Sequence, residues 1–130
     1  MGLIMKNAVI AGVIAGIVNL ILFFIGNALF GGITEIETPG ADPVQMSFIK
    51  PFLLSVIPAL FAGLGLWVAQ KWIPNGTRIW QIGTIAIALL TIGGPLNQSL
   101  IPNPAAGIIL AIMHVVLGVV YVWYMTLRKA

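Results

Sequence analysis

Residues 7–30 read NAVIAGVIAGIVNLILFFIGNALF, and no residue in that run carries a charge. A helix needs about 20 mainly apolar residues to cross the ~30 Å hydrocarbon core of a bilayer. This run exceeds that length. It also exceeds the ~7–15 apolar residues of a secretory leader, and no convincing cleavage site follows it. It is expected to be a retained spanning helix, with Lys6 at its start.

The composition agrees. Sixty per cent of the residues are hydrophobic and 7% are charged. A soluble domain devotes about a quarter of its residues to charge. The mean hydropathy of +1.10 leaves lipid as the solvent. The net charge of +3 could suggest nucleic acid. That partner is excluded, because the few cations sit at the ends of apolar runs and form no patch. The chain has no cysteine. Disulfides, thiolate metal sites and cysteine nucleophiles are therefore excluded, though no redox compartment follows. The opening MGLIMK lacks the Ser or Thr of a myristoylation signal.

Three further segments are long and apolar enough to span, at about 51–72, 79–100 and 105–127. Turn chemistry separates them: GGITEIETPGADPVQ, KWIPNGTR and IPNPAAG. Pro51 and Pro104 suit helix starts, where the missing N–H has no intrahelical partner. No segment alternates polar with apolar residues, which excludes a transmembrane β-barrel. The expected fold is all-α: a polytopic, four-helix, up-and-down transmembrane bundle forming one domain over 1–130. The loop segment VQMSFIK is expected to lie along the interface.

On that path Lys6, Lys71, Arg78, Arg128 and Lys129 share one side. Lys50, Glu35, Glu37 and Asp42 share the other. The positive-inside rule places both termini in the cytoplasm. Trp67, Trp72, Trp80, Tyr121, Trp123 and Tyr124 all lie toward the cytoplasmic ends, as an interfacial aromatic belt does.

Small residues mark contact faces in lipid, where hydrophobicity gives helices no reason to associate. Gly12 and Gly16 lie on one stripe of the first span with Ala8 and Asn19. Gly107, Ala111, His114 and Gly118 form a stripe on the fourth. The two faces are expected to meet within the chain, in preference to a Gly12–Gly16 homodimer. At ~1.5 Å rise per residue, Asn19 and His114 lie near the midplane. Thr91 reaches a similar level, on a stripe with Thr84 and Ala88. Asn19 and Thr91 are thus the expected partners of His114. Pro58 frees a carbonyl, and Gly93, Gly94 and Pro95 break the third span early. Irregular backbone at this depth must be buried or line a wet cavity. An outward-facing cleft is expected, walled by Ser55, Pro58, Gly94, Asn97, Gln98 and Ser99, with His114 at its floor.

An ionisable group inside the membrane is a functional-site hypothesis by default. For His114 the roles are proton relay, ligand grip or haem ligation, set against a plain helix-tying hydrogen bond. All three acids lie in one loop, without a calcium-loop pattern. None reaches the depth of His114, so no hydrolytic triad forms. No metal site is expected. Haem would need a second axial ligand, and neither it nor a quinone is expected as a resident cofactor.

The carriers of a family resemblance are Asn19 in AGIVNL, PALFAG at 58–63, GGP at 93–95 and MHVVLG at 113–118. Through these the chain resembles a bacterial family of short four-span integral membrane proteins, grouped as a domain of unknown function. The resemblance covers nearly the whole length and implies a fold and a membrane location, with no reaction. The expected role is non-catalytic: an accessory or assembly subunit, or a bundle that binds a small ligand. Its partners would be the lipid bilayer and a membrane protein or a second copy. The alternatives are a small channel or carrier using the cleft and His114, and a haem- or quinone-linked redox protein.

Overall fold

A computed structural model describes residues 1–97 and 100–127. The chain forms α1 (Gly2–Phe30), β1 (Thr34–Glu35), β2 (Val44–Gln45), α2 (Ile49–Trp72), α3 (Gly76–Leu90), α4 (Gly93–Leu96) and α5 (Pro104–Val122). A π-helical turn, Trp123–Leu127, continues α5. Four spans, Gly2–Phe30, Ile49–Trp72, Gly76–Leu96 and Pro104–Leu127, are long and apolar enough to cross a membrane. The fold is all-α in its membrane part, and the protein is a multi-pass membrane protein.

Local chemistry sets the ends of these elements. α1 stops at Gly31, whose φ of 70° is the left-handed conformation that closes a helix without steric cost. The Asn27 side chain then accepts from the Ile33 amide at 2.8 Å and fixes the chain's exit. Asn75 carries the left-handed conformation in the α2–α3 turn, a role that asparagine tolerates. α5 opens with Pro104 at its first position, and the Asn103 side chain accepts from the Ala105 amide at 3.0 Å. The third span breaks where expected in character but one turn early. α3 closes at Leu90, and Gly93–Leu96 form a short helix of their own.

The loop after α1 carries structure of its own. Thr34 pairs with Gln45 and Glu35 with Val44 in an antiparallel hairpin. Its flanks are held by Met46 N to Ile33 O at 2.8 Å and Ile36 N to Leu100 O at 2.7 Å. Ile33 and Met46 are buried, so the loop closes one end of the bundle. That end is called the hairpin end below. Gly2, the α2–α3 turn and Leu127 share the opposite, terminal end.

The helix pairing also departs from expectation. Gly12 and Gly16 pack against α2, not against the fourth span. A Cβ placed on Gly12 would stand 2.8 Å from the Ala59 Cβ, and one on Gly16 would stand 2.7 Å from the Phe52 ring. The cause is legible in α2 itself. Ser55, Ala59 and Gly63 recur every four residues and form the complementary small face. Gly63 in turn meets Ala8. Gly12 and Gly16 are therefore sealed within the chain and offer no homodimer seam. On α5, Gly118 receives Ala88 and Ile85 of α3, while Gly107 lies against the Pro95 carbonyl. Ala111 is buried in the same helix.

Two clusters form the core. Ala11, Ala15, Ala59, Leu66, Ala69, Trp80 and Tyr121 make one. Phe23, Ile33, Met46, Ile101, Ala106, Leu110 and Met113 make the other. α3 belongs only to the first, through Trp80, and is the least buried of the four spans.

Candidate functional site

α2 and α3 meet near the terminal end, where the Trp80 indole donates to the Ala62 carbonyl at 2.9 Å. Toward the hairpin they leave a cavity of about 1170 Å³ between them. Ligand pockets for small molecules fall roughly between 300 and 1,000 Å³, so this one suits a large occupant. Leu54, Ile57 and Phe61 of α2 line it, as do Ile87 and Thr91 of α3. All five are exposed. The cavity is thus walled in part by exposed apolar side chains of two spanning helices. Leu110, Met113, His114, Leu117 and Gly118 of α5 form the back wall. Glu35, Glu37 and Lys50 line the hairpin end. Lys50 and the buried Glu35 form an ion pair at 2.5 Å.

A polar knot lies behind the wall. Asn19 is 2% exposed and lines the cavity. Its Nδ2 donates to Ser55 Oγ at 3.0 Å and to the Met113 carbonyl at 3.4 Å, tying α1 to α2 and α5. Ser55 Oγ donates onward to the Pro51 carbonyl at 2.7 Å. The Tyr121 hydroxyl donates to the Ser55 carbonyl. Asn19 Oδ1 has no partner, and among the described residues it is the only sealed side-chain polar atom in that state. The amide cannot turn over to mend this. Ser55 Oγ has committed its proton to Pro51, and the Met113 carbonyl only accepts, so a reversed amide would aim oxygen at two acceptors.

His114 is half-buried on the back wall and bonds within its own helix. Nδ1 lies 2.9 Å from the Leu110 carbonyl. That is a correction to the expected partnership with Asn19 and Thr91. Four residues along α5, a carbonyl lies in reach of the ring, while Asn19 is held by Ser55 and Met113. Thr91 likewise turns to its own helix and donates to the Ile87 and Ala88 carbonyls at 2.8 and 3.1 Å. Because Leu110 offers only an acceptor, Nδ1 carries the proton in the neutral ring, and Nε2 is left as an acceptor.

The structure brings Asn19, Ser55, Pro58, Thr91, Gly94 and His114 to one cavity. Pro58 removes the donor that would bond the carbonyl of Leu54, itself on the wall. Asn97 is not on this wall; it closes α4, and its carbonyl accepts from Leu100 and Ile101. Gln98 and Ser99 lie outside the described residues, as do Arg128 and Lys129. No group of three metal-ligating side chains occurs among the described residues.

Sequence reasoning missed Trp80 and Tyr121 as inward groups. It assigned both to the aromatic belt, yet they are 8% and 5% exposed and hydrogen-bond to carbonyls of α2. Trp72 and Trp123 are exposed near the terminal end, and Lys71 Nζ stands 4.9 Å from the Trp67 and Trp72 rings. The available signal was register. Trp80, Thr84, Ala88 and Thr91 share one face of the third span.

Residues 2–130 match the model of a family of unknown function, DUF6069. The chain belongs to that family. No curated protein and no solved structure matches it.

Proposed function

We propose that this DUF6069 member is a non-catalytic membrane protein that holds one lipid-like amphiphile in the cavity between α2 and α3. The observation that carries the reading is the cavity itself: about 1170 Å³, lined mainly by apolar side chains, several of them exposed residues of two spanning helices, which on this reading face lipid. A ligand that already resides in the bilayer reaches such a site without crossing water. Its tail replaces lipid against Leu54, Ile57, Phe61 and Ile87. Its polar end meets the few polar groups of the wall, and sparse, placed polar groups are what orient a ligand in an apolar pocket.

The proposed setting is a bacterial cytoplasmic membrane, with the hairpin outside and the termini inside. The segregation of Lys6, Lys71 and Arg78 from the acidic loop supports it. A second reading, a carrier for the same class of ligand, is favoured by Glu35, Glu37 and Lys50 at the hairpin end of the cavity. Those groups offer a polar mouth through which a headgroup could leave.

Native mass spectrometry after gentle extraction tests the proposal. The expected result is a species a few hundred daltons heavier than the 13.8 kDa chain. A Gly83→Phe variant should lose the added mass. A Cβ on Gly83 meets nothing within 4 Å, and Gly83 lines the cavity, so the ring fills space without a clash. A bare chain in mild detergent, or an added mass that survives Gly83→Phe, would overturn the reading. A stoichiometric second protein with no small ligand would instead favour an accessory subunit.

A further inference from the structure

We propose that the occupant of this cavity is an amphiphile with a primary ammonium headgroup, and that Glu37 and Glu35 at the hairpin end hold the ammonium. This rests on the ligand-binding reading above and adds the chemistry of the headgroup.

Charge on the wall is confined to one end. Glu35, Glu37 and Lys50 line the cavity, and among the described residues no other charged side chain does. Two carboxylates therefore stand against one ammonium. Neighbours do not relieve the imbalance. Lys6, Lys71 and Arg78 belong to the terminal end, and Asp42 of the hairpin loop adds a further negative charge.

The unused hydrogen-bonding capacity lies on the acids. Lys50 Nζ is committed to Glu35 Oε2 at 2.5 Å. The Glu35 side chain is 9% exposed, yet its Oε1 takes no hydrogen bond among the described residues and is not sealed from the surface. Glu37 is exposed and makes no hydrogen bond or ion pair among the described residues. The two acids are one residue apart in the chain, so their Cα atoms stand no more than ~7 Å from each other. Ile49 opens the second span, so on this reading the three charged groups lie at the level of lipid headgroups. The apolar wall from Leu54 to Ile87 then receives the tail.

A primary ammonium suits this end of the cavity. It offers three N–H donors and makes charge-assisted hydrogen bonds to carboxylates. A quaternary ammonium has no N–H, and aromatic cages are what recognise it. No cage stands here. Phe61 lies ~16 Å along α2 from Lys50 by helix rise. The Trp80 indole is bonded one residue farther on, at Ala62, and the Tyr121 hydroxyl is bonded to the Ser55 carbonyl. An anionic headgroup would bring a further negative charge to an end already in excess of it.

The test uses the full chain in one defined detergent, with three lipids of identical tails: dioleoylphosphatidylethanolamine, dioleoylphosphatidylcholine and dioleoylphosphatidylglycerol. Occupancy is read by native mass spectrometry across a concentration series. The ethanolamine lipid should bind about tenfold more tightly than the other two, the scale of one hydrogen bond to a charged group. Glu37→Lys, at an exposed position, should abolish that preference or turn it toward the glycerol lipid. Glu35→Gln is the second variant and should reduce the preference severalfold. Equal affinities for the three lipids in the unmodified protein would overturn the ammonium inference and leave the cavity reading intact. So would a preference for either of the other headgroups, or one that survives both variants. If no lipid binds at any concentration, or if Gly83→Phe leaves binding unchanged, the cavity reading falls and the inference falls with it.

Discussion

Trp80 of α3 is pinned to α2 by its indole N–H, which donates to the Ala62 carbonyl at 2.9 Å, and both residues line the cavity. A Trp80→Phe change removes the donor and keeps most of the ring. The bond is worth about 1 kcal/mol. The expected outcome is a melting temperature lower by a few degrees in detergent. Spin labels at Phe61 and Ile87 should also report a broader distance distribution. An unchanged distribution would show that the spacing of α2 and α3 does not depend on this pin.

Gly12 and Gly83 should respond oppositely to added bulk. At Gly12 a Cβ lies 2.8 Å from the Ala59 Cβ and 3.0 Å from the Val56 Cα, so backbone must move. Gly12→Leu should destabilise the bundle by about 1–3 kcal/mol or more, as overpacking does. Gly83→Phe should leave the melting temperature within a degree or two while abolishing ligand retention. Thermal unfolding of the two variants, run side by side, checks both halves.

Much of the fold was legible because length and hydropathy alone decide a membrane span. The bundle, an early break in the third span and the small-residue faces of α1 and α5 all follow from simple counts, though the break falls just before Gly93 and not at Gly93–Pro95. The pairing of those faces did not. Small residues announce that a helix is a contact partner, yet they do not say whose. The decisive stripe, Ser55–Ala59–Gly63, sits in a helix whose proline drew attention first. The site was legible as a grouping of residues and not by contact. Asn19, Ser55, Pro58 and His114 do line one cavity. Their hydrogen bonds were hidden because a polar side chain in a helix can turn to a carbonyl four residues back, as His114 does to Leu110. Trp80 and Tyr121 were hidden because an interfacial ring and an inward ring differ only by rotation about the helix axis.

The knot around Asn19 gives a double-mutant prediction. Ser55→Ala strands one N–H of the buried amide and should cost about 1–3 kcal/mol. Asn19→Leu removes both that donor and the unpartnered Oδ1, while Ser55 keeps its bond to Pro51. The Ser55→Ala/Asn19→Leu pair should therefore cost less than the sum of the two single changes. Chemical unfolding in micelles measures the coupling. Strict additivity would show that the two side chains do not act as a unit.

Lys50 and Glu35 make the last prediction. Glu35 sits buried in the hairpin, and its Oε2 lies 2.5 Å from Lys50 Nζ at the start of α2. Lys50 is 43% exposed, so the pair itself is worth at most about 1 kcal/mol. Removing only the cation leaves a sheltered carboxylate without its partner, which costs more than the pair contributes. Lys50→Met should therefore loosen the hairpin. The amides of Met46 and Ile36, which bond to Ile33 and Leu100, should exchange faster with deuterium. Lys50→Met combined with Glu35→Gln should restore part of that protection, because the uncompensated charge is gone. If Lys50→Met leaves both amides as slow as before, the hairpin is held by Ile33 and Met46 in the core and not by this ion pair.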